Sequence, residues 1–95
     1  MALVIWSVRA KHDLLRLQDF LIRTYPPAAG SAYMRIRSAA TSLGDFPYMG
    51  RLLPNQLAIR EWVADFGKSG YVLRYRIKAD GDVFIQRVFH SREDR

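Results

Sequence analysis

His90 is the clearest candidate for proton-transfer chemistry in this sequence, because an unperturbed imidazole titrates near neutral pH. Alone it supplies neither a second proton-transfer group nor the charge needed to hold an anionic transition state. The plainer reading is that His90 ends a strand, its ring bonded to a nearby carbonyl or carboxylate. His12, beside Asp13, reads as a solvated surface residue, and Asp13 as a structural ion-pair or hydrogen-bond partner. The two histidines lie too far apart in sequence to form a local metal motif. Asp80 and Asp82 look like a fragment of a metal loop, but the turn Ala79-Asp80-Gly81-Asp82 accounts for them. Cysteine is absent, which excludes disulfides and thiolate metal sites. There is no P-loop, dinucleotide fingerprint, nucleophile elbow or zinc motif. The expectation is no metal, no cofactor and no small-molecule substrate.

The cations carry more information. Fifteen basic against nine acidic residues give a net charge of +6. Six basic and three acidic residues fall in 1–47, nine and six in 48–95, so each half carries +3 and no detached basic tail exists. Twelve of the fifteen are arginine, which favours bidentate contacts with carboxylates or phosphates. An anionic partner is implied: nucleic acid, a nucleoprotein surface or an acidic protein segment. Arg74, Arg76 and Lys78 recur with period two and form a one-faced row, to be solvated or covered by such a partner. Arg60 and Glu61 point to opposite faces of their strand and cannot pair with each other. Trp6 and Trp62 read as core or groove aromatics.

These residues must be positioned by a single domain, residues 1–95, for which a hydrophobic fraction of 49% is ample. A chain this short buries only ~60–65% of its unfolded surface, so partner binding should add to its persistence. The apolar run Ala2–Trp6 predicts a strand over 2–6. Ser7 is placed to cap a helix over 8–24, in which Ala10, Leu14, Leu17, Leu21 and Tyr25 share one face. Pro26 and Pro27 stop it. Ala32, Ile36, Ala40 and Leu43 mark a second helix over 28–44, which Gly44 should terminate. The period then becomes two, predicting strands over 57–65, 70–78 and 83–90, the last two forming a hairpin. The order β-α-α-β-β-β is an α+β domain, a helical hairpin on a small, mostly antiparallel sheet. The place of the first strand is open, and Ser91 to Arg95 should fray. Met1–Trp6 is too short for a signal peptide and no run approaches the ~18 apolar residues of a membrane span, so a cytoplasmic protein is expected.

The order and its joints resemble the RelE/ParE toxin superfamily, on the ParE side. Ile5-Trp6-Ser7 with Ala10 and Asp13-Leu14 is similar to the family opening W-S-x-x-A-x-x-D-L. Ile36, Leu43, Pro47 and Gly50-Arg51 are similar to its I…L…P…G-R. Arg60-Glu61 with Tyr71-Val72-Leu73-Arg74-Tyr75-Arg76 resembles the R-E…Y-x-x-x-Y-R pair of strands. Arg87-Val88-Phe89-His90-Ser91-Arg92-Glu93-Asp94 resembles the R-V-x-H-x-R-x-D close.

The resemblance implies the toxin of a type II toxin–antitoxin module, held inactive by a cognate ParD-like antitoxin and linked to plasmid stabilization. It implies an acidic antitoxin segment lying across the sheet–helix groove. Arg60, Arg74, Arg76, Arg87 and Trp62 are the residues expected to contact antitoxin or target. The family divides between DNA gyrase inhibitors, which are not enzymes, and ribosome-dependent mRNA endoribonucleases. In the acid/histidine ribonucleases an arginine stands where this chain has Val72 and a tyrosine where it has Ser91, while residues 50–66 hold no lysine. His90 therefore lacks its coworkers, and gyrase inhibition is the expectation, with ribosome-dependent cleavage or another target as alternatives.

Overall fold

A computed structural model describes residues 2–95. Its elements are β1 (Val4–Trp6), α1 (Val8–Thr24), a 3-10 turn (Pro26–Ala28), α2 (Ala29–Asp45), β2 (Arg51–Leu52), β3 (Ile59–Phe66), β4 (Ser69–Ile77) and β5 (Val83–His90). The strands form one mixed sheet in the order β1-β5-β4-β3-β2. β1 runs parallel to β5, and every other neighbouring pair is antiparallel. The expected α+β architecture is thus present, with the open question of β1 answered by a parallel contact across most of the chain length.

Each element starts and stops for local reasons. Ser7 is extended, its hydroxyl accepts the free Ala10 N–H at 2.9 Å and donates to the Gln86 carbonyl at 2.8 Å, so one side chain caps α1 and ties it to β5. Pro26 and Pro27 end α1 and tighten the joint into a 3-10 turn, which delays α2 to Ala29. Gly44 does not terminate α2 as expected. It lies inside the helix, where an added Cβ would meet the Val4 side chain at 2.9 Å, and the helix runs on to Asp45. The glycine serves the close approach of α2 to β1, and its carbonyl accepts the Ala2 N–H at 3.2 Å. The segment 91–95 forms no helix or strand but is tied to the body of the domain by side-chain contacts. Glu93 receives Arg16 at 2.9 Å and the His90 N–H at 2.7 Å, and Arg95 reaches Glu61 at 3.3 Å.

One face of the sheet is covered by both helices. Leu14, Leu17, Ile36 and Leu43 pack there against Tyr71, Leu73 and Tyr75 of β4 and Ile85 and Val88 of β5. Alanines 10, 32 and 40 on the helix faces are buried and let the helices sit close. Each fully buried Leu, Ile or Val stabilises by about 1.5–3 kcal/mol, so this one layer is the main source of stability. The opposite face has no helix over it. A β-bulge divides β5: Arg74 pairs with Arg87 but Tyr75 with Ile85, leaving Gln86 as the extra residue. The bulge places Phe84 and Arg87, three positions apart, on the same open face.

Candidate functional site

Pairing in register assigns the candidate residues to faces. Arg60 and Trp62 are partners of Tyr75 and Leu73, so they lie on the helix-covered side. Glu61 is the partner of Arg74, and Arg74 of Arg87, so these three with Arg76 lie on the open side. The expected contact residues therefore do not form one surface.

On the covered side, Arg60 donates to the carbonyls of Gly50 at 2.7 Å and Tyr48 at 3.3 Å, and its guanidinium lies 5.0 Å from the Tyr48 ring centroid. Its partners are backbone carbonyls rather than a carboxylate. Tyr75 works with it: its hydroxyl donates to the Pro47 carbonyl at 2.6 Å and accepts the Gly50 N–H at 2.9 Å. Burial raises the Tyr75 pKa, partly offset by the Gly50 bond and Arg60, so the hydroxyl stays protonated and able to donate. An added Cβ on Gly50 would stand 2.5 Å from that hydroxyl, which explains the glycine. Trp62 is half-buried against the core.

On the open side, Glu61 is the anchor. Its side chain is 3% exposed and is held by Arg74 at 2.8 and 3.0 Å, Arg95 at 3.3 Å and Arg51 at 3.5 Å. Arg74 is thus partly spent on an internal pair. A cross-strand arginine opposite a glutamate could have been read from the sequence only with the β3–β4 register in hand. Arg87 turns to the sheet edge and pairs with Asp13 at 2.8 Å.

Asp13 sits where β1 has ended and β5 continues. Its carboxylate accepts the Val88 N–H at 2.8 Å, Arg87 at 2.8 and 3.1 Å and Arg16 at 3.0 Å. Burial alone would raise its pKa, but these bonds outweigh burial and hold the carboxyl below the ordinary aspartate range.

His90 pairs with Tyr71 and so lies on the covered side, with Glu61 on the other. Its Nδ1 accepts the Arg92 N–H at 3.1 Å, which puts the ring proton on Nε2, 3.1 Å from the Ser69 hydroxyl. Tyr71 meets the ring edge-on at 5.6 Å between centroids. Val72, where the ribonucleases have an arginine, is fully buried between its partners Val63 and Phe89. His90 also borders an open groove of about 870 Å³ between α1 and the β3–β4 turn. Leu17, Phe20, Leu21, Tyr25, Phe66 and Tyr71 give it an apolar floor, and Arg16, Arg23, Arg92 and Glu93 line its edges. Arg60, Arg74 and Arg76 do not border it. Phe20 and Tyr25 were the missed residues; both are exposed, as are Val8, Leu15 and Ile22 of α1, and only the fold shows that these two border the groove. Among the described residues no group of three His, Cys, Asp or Glu could hold a metal ion.

The family model described as "ParE toxin of type II toxin-antitoxin system, parDE" matches residues 4–95. The chain belongs to the ParE toxin family. This ParE-family chain is 40% identical over 91 residues to "Toxin RelE2" of Caulobacter vibrioides, covering 96% of the chain and 97% of that protein. It is 37% identical over 92 residues to "Toxin RelE1" of the same organism, covering 97% and 96%. Its fold is similar to a solved chain of the "Chromosomal ParDE TA system from P. aeruginosa", with a TM-score of 0.75 at 20% identity over 95% of this chain and 96% of that one. A ParE-family toxin of a type II toxin–antitoxin system is what the residues, the fold and the relatives agree upon. No helix among the described residues is long and apolar enough to cross a membrane.

Proposed function

We propose that this toxin inhibits DNA gyrase without cleaving messenger RNA, and that a cognate antitoxin neutralises it from the groove beside α1. The observation that carries the first part is that neither nearby carboxylate is free to act with His90, since Glu93 in the same groove is held by the His90 N–H and Arg16. Glu61 and His90 stand on opposite faces of the sheet, so they cannot share a phosphodiester between them. Both His90 ring nitrogens are engaged within the protein, and Arg16, which borders the same groove, is already paired with Asp13 and Glu93. A positioned acid or base contributes ~10²–10⁴-fold in rate, so a site lacking several such groups has little activity.

Ribosome-dependent cleavage has one observation in its favour. His90 borders a groove that also holds Tyr71, Ser69 and Arg92. The purified toxin should therefore be incubated separately with programmed ribosomes and with gyrase plus supercoiled plasmid. Gyrase-dependent accumulation of cleaved DNA, with intact message and full activity in His90→Ala, is the expected result. Codon-positioned cuts abolished by His90→Ala in a still-folded protein would establish the ribonuclease instead.

The groove supports the antitoxin reading because it joins an apolar floor to an edge where three arginines outnumber Glu93, which suits an amphipathic acidic segment. The toxin so covered would lie in the cytoplasm beside its antitoxin.

A further inference from the structure

The open face of the sheet carries a feature that neither core packing nor the groove uses. Arg74 and Arg76 point from it at a two-residue step, and Lys78 continues the row just past the end of β4. Along a strand that step is about 7 Å. Arg51, Arg87 and Arg95 extend the cationic field on neighbouring elements. Glu61 is the carboxylate within this field, and it is 3% exposed on its side chain, surrounded by three guanidiniums that outnumber it. Arg87 shares Asp13 and Lys78 lies 3.7 Å from Asp80, so six cations face three carboxylates. Arg76 has no carboxylate within 4.0 Å among the described residues.

The guanidiniums are also held in place. Arg76 lies 5.3 Å from the Phe84 ring centroid, while Arg74 and Arg87 lie 5.1 and 4.7 Å from that of Phe89. Stacking on an aromatic face orients the planar fork and lowers the entropy lost when it binds an anion. Phe89 is 6% exposed beneath them, so the face presents cation edges rather than apolar pockets. A peptide partner needs such pockets for its anchors, and this molecule keeps them in the groove on the other side. A regular polyanion needs only the row.

We propose that this open face binds the phosphodiester backbone of DNA, with Arg76 as its freest phosphate contact, Lys78 beside it and only loosely paired with exposed Asp80 at 3.7 Å, and Arg74 between them and Glu61. The choice of DNA over other phosphodiesters rests on the gyrase reading, in which the toxin meets DNA already held by its target. Contact is to backbone, so it is independent of base sequence and dependent on salt.

The test uses the isolated toxin and labelled oligonucleotides of one sequence: duplex DNA, single-stranded DNA and single-stranded RNA. Affinity for duplex DNA should fall linearly with salt on logarithmic axes. The doubly substituted R76Q/K78Q removes both charges while keeping polar side chains and leaves the Glu61 cluster intact, and it should lower that slope by about 2, roughly 1 for each lost phosphate contact. R23Q, at the groove edge, should leave the slope unchanged. An R76Q/K78Q slope equal to wild type, or an equal loss in R23Q, would overturn the proposal. Binding to RNA alone, or displacement of DNA by a polyglutamate peptide at equal charge concentration, would overturn it in favour of another polyanion. Gyrase poisoning is measured on the same samples. DNA binding without poisoning leaves the face standing and removes the target, whereas poisoning without DNA binding does the reverse.

Discussion

Asp13 does with a side chain what β1 would have done with a backbone. β1 pairs with Val83, Phe84 and Ile85 and then leaves the sheet as α1 begins, and the next edge donor of β5, the Val88 N–H, is taken by the Asp13 carboxylate. Two arginines complete the node, so removing the charge leaves Arg87 without its carboxylate while Arg16 keeps Glu93. Asp13→Asn should destabilise the domain by about 3 kcal/mol, the lower end for breaking a buried pair. The pH dependence follows from the depressed carboxyl. A group whose folded pKa lies below its unfolded value stabilises fully above the unfolded value, and that contribution disappears as pH falls through the folded one. Urea denaturation of both proteins from neutral into acid should show the wild type losing stability toward the variant, and parallel curves would rule out this role. Asp13 was legible in the sequence as a structural residue because its place after Ser7 and Ala10 is part of a recognisable opening. Glu61 was not, because its importance comes from a residue thirteen positions away in β4 and from Arg95, which no local spacing connects to it.

The elements divide by how local their signals are. Period-two alternation over 71–77 sorted Tyr71, Leu73 and Tyr75 to the core and Arg74 and Arg76 to the other side, and the register agrees. The two helices were legible from the spacing of alanines and leucines, and their joint from two prolines. β2 was not, because a two-residue strand has no period to read. The parallel pairing of β1 left no trace either, since its partner lies 79 positions away. The connection from β2 to β3 contains the one conformation that works against its residue. Ala58 has φ +58°, in the left-handed region that costs an alanine roughly 1–2 kcal/mol. Asn55 shares that region at +62° but tolerates it better. Ala58→Gly should therefore raise stability by about 1 kcal/mol, read as a shift in denaturation midpoint, with Asn55→Gly giving less. A loss of stability in Ala58→Gly would mean that the methyl group contributes packing that outweighs the strain.

At the scale of the whole molecule, the sheet separates two chemistries: an apolar groove on the helix side and a cationic field on the open side. If the antitoxin lies in the groove, Phe20→Ala should weaken its binding about tenfold or more without loss of fold, because Phe20 is 56% exposed in the free toxin. Arg23→Ala should cost less, and its effect should shrink in high salt. Calorimetric titration of the cognate antitoxin at two salt concentrations separates them, and an unchanged affinity for Phe20→Ala would place the antitoxin elsewhere. The parallel contact between β1 and β5 has a consequence for synthesis. β5 lies between β1 and β4 and supplies Val83, Ile85 and Val88 to the core, yet it is made after every other element of the sheet. Until residues 83–90 have left the ribosome, β1 has no strand to pair with, α1 has no Gln86 carbonyl to tie it down, and the open face lacks Phe84 and Phe89. A nascent chain therefore cannot complete its sheet, or either of the two surfaces proposed to act, until its last residues emerge.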